Sequence, residues 1–324
     1  MRTVLTGLAF LWAAGCTQPE ADSPPEYSAT GVCTVERFAE RIAGPEDFEV
    51  DLYSAAAPRL LVSAYDRKRQ GDGGLYAIPL QDRDPGPAAL LVDELNGCPL
   101  RPHGISLTRS ADGNLRLYVI NHRQNADENT SCRLPRGPDN QPLLHSVEIF
   151  RVDEATGELK HEQSLADPLL TSPNELYALP DGHIYLSNEI NHHSVLWKLL
   201  EFFKLKVTST VVHFNGTAWR PALEGPRYAN GLAVHHDRLY VVGSMDEVID
   251  IYQRDPKTGA LGARIGRLHF DSAIDNLEVF TQEHGVPVNR DLVVEPDPAM
   301  GRHTAVQHFV DCVADDKVEM ISPA

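Results

Sequence analysis

A phrase of asparagine, strand, turn and strand that occurs three times is the feature that most constrains the fold of this chain. In the clearest copy, residues 172–189, Asn174 precedes a stretch in which apolar and polar residues alternate, and Pro-Asp-Gly at 180–182 supplies a turn. Further copies begin at Asn230 and Asn276. Such alternation is typical of a half-buried strand, and proline followed by glycine favours a tight turn. The repeat therefore predicts an all-β chain.

The spacing of these copies predicts the architecture. Repeats of about 50 residues with several short strands each are typical of a β-propeller. A second pair of similar segments, 146–159 and 247–261, lies about two repeats apart. We therefore expect one closed ring of about six blades. Equivalent loops of successive blades meet around a single axis, so asparagines that are distant in sequence should converge there.

The composition allows one large all-β domain and argues against nucleic acid as a partner. The chain has 324 residues, of which 42% are hydrophobic. It carries 29 basic and 46 acidic residues, which gives a formal net charge of −17. Proteins that bind nucleic acid concentrate lysine and arginine on one face, and the sequence contains no basic stripe of that kind.

The beginning of the chain is interpreted as a leader and a tether. Residues 1–16 combine the basic Arg2, a short apolar run and small residues before Cys16, which is typical of a bacterial lipoprotein signal with its lipobox. Residues 17–31 are rich in proline, serine and glutamate and predict a flexible tether. We expect residues 32–324 to form the propeller, exported to the periplasmic or surface side of the bacterial cell envelope and held at the membrane by a lipid on the cysteine. An ordinary signal peptide with a chance cysteine is the alternative.

One segment departs from the β pattern. Residues 195–205 are mostly apolar, with charges at Lys198, Glu201 and Lys204. Charges at this spacing are typical of the polar face of an amphipathic helix. The sequence predicts a short helix over the loop face of the ring, where it would either pack on the propeller or contact membrane or substrate.

The polar residues at the strand starts have the chemistry of a site for a hard cation. Asn174 is followed by Glu175, which places an amide oxygen beside a carboxylate on a loop held by two strands. Calcium is bound by flexible sets of roughly six to eight oxygens, whereas softer metals prefer histidine or cysteine. Asparagine and aspartate before strands are also ordinary turn residues, but the recurrence of asparagine in equivalent places favours an ion site.

Six short motifs, in order along the chain, carry a resemblance to a known family. They are Glu46-Asp47, Pro102-His103-Gly104-Ile105-Ser106, Asn121-His122, Ser172-Pro173-Asn174-Glu175, Ala229-Asn230-Gly231 and Asp275-Asn276. In order and spacing they are similar to the motifs of the paraoxonase/arylesterase family, which are six-bladed calcium-dependent esterases and lactonases. The resemblance runs from about residue 33 to about residue 300.

The resemblance implies two calcium ions and a pair of catalytic histidines. The ligands implied for the catalytic ion are Glu46, Asn174, Asn230, Asp275 and Asn276. Those implied for a buried structural ion are Asp47, Glu175 and the backbone carbonyl of Ile105. The histidine dyad falls on His103 and His122. Glu189 falls where the family has an acidic residue near the second histidine.

Three departures from the family pattern are visible in the sequence. Glu175 stands where the family has aspartate, which should reshape the structural ion site. A further family histidine near the pocket is replaced around Asp297. The chain also ends sooner after Asp275 than family members do, so we expect a last blade that lacks its C-terminal strands.

The cysteines suggest a disulfide beside the histidine pair. Cys98 and Cys132 flank the unit that contains both histidines, and a bridge between them would hold the intervening insertion loop near the pocket. With the lipid-bearing cysteine set aside, four of the five cysteines remain, and they allow three pairings. The resemblance to the family implies that Cys33 pairs with Cys312.

Together these features predict a calcium-dependent hydrolase of lactones and aryl esters in which His103, assisted by His122, activates water. A neutral imidazole near a metal-bound ester can take a proton from water. The sequence contains no Gly-x-Ser-x-Gly elbow, the usual setting of a nucleophilic serine, which favours water as the nucleophile. Two alternatives stay open: a gluconolactonase-like or strictosidine-synthase-like propeller with another small substrate, and a non-catalytic envelope propeller that binds a ligand.

Expression in a bacterial host tests the lipid anchor. Because lipoprotein processing cuts directly before the modified cysteine, intact-mass analysis should show loss of residues 1–15 and a diacyl addition on Cys16. Cys16→Ser should give protein without the lipid mass. A soluble product cleaved at another position would contradict the lipoprotein interpretation.

Overall fold

The computed structural model describes the chain as strands joined by turns and loops. The described residues are 3–11, 35–36, 42–56, 58–66, 73–80, 88–123, 132–190, 209–270, 274–281, 291–292 and 306–307. Within these ranges there is no helix, and therefore none long and apolar enough to cross a membrane. The all-β prediction is confirmed. The expected helix at 195–205, the position near Asp297 and the expected pairing of Cys33 with Cys312 lie outside the described residues.

Four antiparallel sheets of four strands each follow one another along the chain and form successive blades. Two strands precede them, β1 (Thr3–Leu11) and β2 (Val35–Glu36). The first blade contains β3 (Pro45–Asp51), β4 (Arg59–Ala64), β5 (Gly74–Pro79) and β6 (Ala89–Val92). A small hairpin of β7 (Glu94–Leu95) and β8 (Cys98–Pro99) follows.

The next three blades repeat this plan, with strands hydrogen-bonded in chain order. The second contains β9 (Pro102–Arg109), β10 (Leu115–His122), β11 (His145–Val152) and β12 (Leu159–Leu165). The third contains β13 (Pro173–Ala178), β14 (Ile184–Asn188), β15 (Thr210–Phe214) and β16 (Trp219–Glu224). The fourth contains β17 (Ala229–His235), β18 (Arg238–Gly243), β19 (Val248–Arg254) and β20 (Leu261–His269).

The first strand of each blade lies at a common axis. Strands β3, β9, β13 and β17 contact one another in that order, and the next strand of the chain, β21 (Ile274–Thr281), contacts β17. Strand β21 belongs to a further sheet with β1, β2, β22 (Asp291–Leu292) and β23 (Val306–Gln307). The propeller architecture is confirmed, and a count of six blades stays a prediction. The strand Thr3–Leu11, inside the expected leader, pairs with β21.

The apolar core lies between successive blades. Strand β4 is buried at every position, whereas the outer strand β20 is largely exposed. Leu61 of the first blade packs in one cluster with Leu117 of the second. Tyr185 of the third blade and Leu239 of the fourth belong to another. Burial therefore decreases outward from the axis, which is why the inner and middle strands are the most apolar.

Polar contacts fix neighbouring blades against each other. The Arg59 guanidinium binds Asp51 at 2.8 Å and also donates to the Gly157 carbonyl of the second blade at 2.8 Å. Between the second and third blades, the Ala178 amide donates to Ser106 Oγ at 3.1 Å. Because these groups are buried, losing one partner would leave another unsatisfied. The contacts therefore set the rotation of each blade, and with it the position of each inner strand at the axis.

The predicted disulfide between Cys98 and Cys132 is confirmed, with the two Cα atoms 4.7 Å apart. It joins β8, directly before the second blade, to the chain that follows β10. Since β10 ends at His122, the bridge anchors the loop that leaves the end of this strand.

Replacing both bridged cysteines by serine should lower the free energy of unfolding by about 2–4 kcal/mol, because the bridge closes a loop of 34 residues in the unfolded chain. Denaturant unfolding of the parent protein with and without reductant measures the effect. In reductant, the parent and the Cys98→Ser, Cys132→Ser variant should unfold alike, which serves as the control. Free thiols at both positions in a non-reducing peptide map would contradict the pairing.

Candidate active site

The starts of five inner strands meet at one end of the axis and bring the predicted polar residues together. These residues are Glu46 and Asp47 on β3, His103 on β9, Asn174 and Glu175 on β13, Asn230 on β17, and Asp275 and Asn276 on β21. Most of them are buried although all are polar. The sequence predicted an ion site because these residues were expected to converge at one axis. The contacts among their side chains show which atoms could bind an ion.

Two glycines allow the inner strands to approach closely at this level. A Cβ added to Gly104 would lie 2.5 Å from the Asn174 carbonyl oxygen, and one added to Gly231 would lie 2.6 Å from the Asp275 carbonyl oxygen. Both distances are far inside van der Waals contact. Glycine directly after His103 and after Asn230 is therefore required for the second and third inner strands to touch, and for the fourth to touch β21.

Both nitrogens of the His103 ring contact oxygen atoms. Its Nε2 lies 3.0 Å from Glu46 Oε2, and its Nδ1 lies 2.5 Å from the Asn174 carbonyl oxygen. A carbonyl oxygen can only accept, so Nδ1 carries the hydrogen of that contact. The ring is therefore held between the first and third inner strands, with Nε2 facing a carboxyl group.

The asparagine side chains turn their nitrogens toward acidic groups. Asn174 Nδ2 donates to Glu189 Oε2 at 3.0 Å, and Asn230 Nδ2 donates to Asp275 Oδ1. The oxygens of these two amides, Asn174 Oδ1 and Asn230 Oδ1, are buried and have no hydrogen-bond partner within the described part of the chain. Buried polar atoms are nearly always paired, so two unsatisfied amide oxygens in one acidic site are suited to a cation that binds oxygen.

Asn276 ties the last inner strand back to the first. Its Nδ2 donates to the Glu46 carbonyl oxygen at 3.1 Å and to Asp47 Oδ1 at 3.2 Å. The other carboxylate oxygen of Asp47 accepts from the Ile105 amide at 2.8 Å. Asp47 is thus held by three inner strands. Ile105 contributes its N–H to this contact, and the ligand role expected for its carbonyl stays a prediction.

Glu175 lies at the base of the same cluster. Its Oε1 accepts from the Leu176 amide at 2.8 Å. The Ser187 hydroxyl lies 3.1 Å from the Glu175 amide nitrogen and also donates to the Asn230 carbonyl at 2.6 Å. A buried serine therefore connects the two neighbouring inner strands that carry Glu175 and Asn230.

The site is strongly electronegative. The pKa of Asp275 is raised to about 7, chiefly by burial. His103 lowers this pKa, and repulsion from Glu46, Asp47 and Glu189 contributes to the rise. Burial likewise raises the pKa of Asp47 to about 6, against hydrogen bonds that lower it, the Ile105 amide first. Carboxyl groups whose ionised forms are this unfavourable gain most from a bound cation.

The donor atoms of the cluster are carboxylate and amide oxygens, with the His103 ring beside them. The described residues contain no group of three or more histidine, cysteine, aspartate or glutamate side chains arranged to hold a metal. The candidate site depends on amide oxygens as well as carboxylates, and mixed oxygen sets are characteristic of calcium. The residues present therefore fit this ion.

The second predicted histidine, His122, lies beside the first but belongs to a longer row. The His103 and His122 ring centroids are 5.2 Å apart. A third ring, His145, lies 5.0 Å beyond His122, and their Nδ1 atoms are 3.0 Å apart. Sequence reasoning missed His145, which lies outside the repeated phrase. The available signal was that it begins the strand after the one that ends at His122.

Glu189 was expected near the second histidine. The structure places it at the axis, where it accepts from Asn174 Nδ2 and from Ser172 Oγ at 3.2 Å. It therefore adds negative charge beside the candidate ion site. Its position follows from the end of β14, which pairs with the start of β13.

Comparison with known proteins identifies the family of the chain. A model of the arylesterase family matches residues 66–286, more than half of the chain. The chain belongs to the arylesterase family. Serum paraoxonase/arylesterase 2 of Bos taurus is 25% identical over 210 residues, which are 64% of this chain and 54% of that protein. Serum paraoxonase/arylesterase 1 of Rattus norvegicus is 23% identical over 256 residues, 76% of this chain and 65% of that protein.

The family resemblance predicted from the six motifs is thus confirmed, and the chain spans about half the length of the first of these curated relatives. Among solved structures, a gluconolactonase from Xanthomonas campestris is 18% identical with a TM-score of 0.40, covering 72% of this chain and 65% of that chain. The periplasmic gluconolactonase of Pseudomonas aeruginosa is 16% identical with a TM-score of 0.36, covering 69% and 70%. Both similarities are distant.

Protons and calcium should compete for the aspartates at the axis. The pKa of Asp275 in the folded protein is raised to about 7, from an ordinary value of about 3.9. Without metal, the folded state holds a proton between these values that the unfolded chain does not, so this contribution to stability falls as the pH rises through 7. Calcium requires the ionised carboxylate, so its affinity should rise over the same pH range.

The expected result is a calcium affinity about 30-fold weaker at pH 5.5 than at pH 8, from Asp275 alone. The rise in melting temperature on adding calcium should shrink accordingly at the lower pH. Asp275→Asn should bind calcium more weakly and lose most of the pH dependence. Equal calcium affinity at both pH values in the parent protein would contradict the assignment of Asp275 as a ligand.

Proposed function

We propose that this protein is a calcium-dependent hydrolase of lactones and aryl esters. The observation that carries the proposal is the pair of buried, unsatisfied amide oxygens of Asn174 and Asn230, set among carboxylates beside His103. Membership of the arylesterase family supports ester or lactone hydrolysis as the reaction class.

Five side chains would hold the catalytic ion: Glu46, Asn174, Asn230, Asp275 and Asn276. They come from four inner strands, so the site forms only when the ring is folded. When bound, calcium supplies a Lewis acid that polarises the substrate carbonyl and stabilises negative charge on its oxygen. Asp47, Glu175 and the Ile105 carbonyl are proposed for a second, structural ion, supported by the burial of both carboxylates.

The role of His103 follows from its two hydrogen bonds. With Glu46 serving as a ligand, a water molecule would take its place at Nε2 of His103. The ring then keeps its Nδ1 hydrogen on the Asn174 carbonyl, which fixes the tautomer, and presents Nε2 as a base. A water molecule donating to Nε2 would be deprotonated as it attacks the ester carbonyl. The leaving group would be the ring oxygen of a lactone or the phenolic oxygen of an aryl ester.

A panel of lactones and aryl esters, assayed on purified protein with calcium and with a chelator, tests the proposal. Turnover of aryl esters and acyl lactones that disappears with the chelator and returns with calcium is the expected result. Hydrolysis restricted to sugar lactones would favour a gluconolactonase-like enzyme instead. Calcium binding without turnover of any substrate would favour a ligand-binding propeller.

Two variants should separate proton transfer from ion binding. His103→Gln should lower turnover by about 10²–10⁴-fold, the usual worth of a general base, with calcium affinity nearly unchanged. Asn230→Ala should weaken calcium binding and lower the melting temperature in calcium, because the ion binds only the folded ring. Kinetics, calcium titration and thermal unfolding measure the three quantities.

The matched control for the asparagine is Asn215→Ala. Asn215 accepts hydrogen bonds from two amides in the turn between β15 and β16, so its loss should leave calcium affinity unchanged. Full activity of His103→Gln on every substrate would make the histidine a structural residue. Wild-type calcium affinity in Asn230→Ala would remove the repeated asparagines from the ion site.

A further inference from the structure

Three imidazole rings run outward from the axis through the second blade. His103 is on the inner strand β9, His122 at the end of β10, and His145 at the start of β11. The centroid of the middle ring lies 5.2 Å from the first and 5.0 Å from the third, and both contacts are edge-on, with planes at 81° and 90°. His145 is buried, with 3% of its surface exposed. It belongs to no motif that the proposed function uses.

The contact between the outer two rings requires a shared hydrogen. His122 Nδ1 and His145 Nδ1 are 3.0 Å apart, which is hydrogen-bond distance. A neutral imidazole carries one N–H and one basic nitrogen. One of these two Nδ1 atoms must therefore donate and the other accept, so His145 determines which nitrogen of His122 is basic.

The strand ladder holds the two rings in this position. His122 and His145 are directly opposite each other in the β10–β11 register, and the Arg123 amide donates to the Leu144 carbonyl at 2.7 Å just beyond them. On the inner side, Asn121 Oδ1 accepts from the Arg101 amide at 3.0 Å. The ring contact is thus a consequence of fixed backbone positions on both sides.

We propose that His145 is a positioning residue for His122: its Nδ1 accepts the hydrogen of His122 Nδ1, so that the other nitrogen of His122 is the basic one. The proposal rests on the proposed hydrolase function, in which His122 assists His103. Because the contact with His145 occupies Nδ1 of His122, only the other nitrogen of His122 can serve His103, and that nitrogen is basic only when the hydrogen is on Nδ1. His122 with this tautomer can receive a proton that His103 has taken from water.

Two substitutions separate this role from simple packing. His145→Leu fills similar space but offers no acceptor, so kcat should fall about 10- to 100-fold, the usual cost of losing the partner that orients a functional histidine. KM and calcium affinity should stay unchanged, and the pH profile of kcat should shift, because His122 loses its fixed tautomer. His145→Asn places an amide oxygen near the former Nδ1 position and should restore kcat to within a few-fold of the parent.

Nitrogen-15 NMR of histidine-labelled, calcium-loaded protein reads the tautomer without relying on activity. His122, assigned with a His122→Gln variant, should show a protonated Nδ1 and a basic Nε2 in the parent and in His145→Asn, and a tautomer mixture in His145→Leu. The matched control is His183→Gln, which breaks another histidine pair, His183 Nδ1 with His213 Nε2 at 3.0 Å. This variant should change neither kcat nor the His122 signals.

The remaining outcomes would each contradict one part of the proposal. If His145→Leu keeps parental kcat and His122 signals, or if His145→Asn fails as fully as His145→Leu while both lower the melting temperature, His145 is a packing residue. If His122 carries its hydrogen on Nε2, the direction of the hydrogen bond is wrong. If the parent hydrolyses no ester or lactone, the proposed function fails, and the NMR result still decides the role of His145.

Discussion

Repulsion among carboxylates at the axis is the interaction on which the rest of this structure depends. Glu46, Asp47 and Asp275 are brought together by the closure of the inner strands, and Glu189 adds a fourth acidic group. Water is largely excluded, so the cost of each charge is high. The structure offsets it with hydrogen bonds: the His103 ring contacts Glu46, and the amide nitrogens of three asparagines donate to the other carboxyl groups. That use of the amide nitrogens leaves the buried oxygens of Asn174 and Asn230 without a hydrogen-bond partner among the described residues.

The second blade supplies the rigid support on one side of this centre. Glu148 is fully buried and accepts hydrogen bonds from Ser146 Oγ at 2.6 Å, from His161 at 3.0 Å and from Arg123. Although burial raises the pKa of this carboxyl group, the nearby Arg123 charge and the hydroxyl donors hold it below its ordinary value. A buried charge paired on so many sides tolerates little rearrangement. His122, at the end of β10, and His145, at the start of β11, are therefore held by a rigid sheet.

The repeated sequence motif predicted the parts of the fold and of the candidate site that recur. It gave no information about a residue that lies outside the repeat, such as His145. Asn174 and Asn230 lie at the starts of the inner strands of successive blades, so their convergence followed from propeller geometry alone. The Cys98–Cys132 bridge could be inferred because the cysteines flank one unit. His145 could not be identified in this way, because its importance depends on the strand register across a long insertion. Glu189 lies at the axis, where it accepts from Asn174, and its expected closeness to the second histidine stays a prediction.

The number of blades stays a prediction, since it depends on how the chain closes rather than on any one strand. Pairwise contacts between inner strands, in contrast, follow directly from glycine at the two places where neighbouring backbones meet. A pattern can show that a glycine is present. Only the spatial neighbour shows why a larger residue would not fit.

Close backbone contact at Gly104 and Gly231 has a consequence for cation selectivity. Because main-chain atoms meet there, the distance between the ligand-bearing strands is set by the width of the polypeptide and not by the side chains that face the ion. Exchanging a carboxylate for an amide would then change the charge of the cavity while leaving its diameter almost constant. Magnesium is smaller than calcium and demands shorter and more regular ligand distances. Discrimination between the two ions would accordingly depend on the backbone of the propeller. The charge and the size of the cavity could then be altered independently.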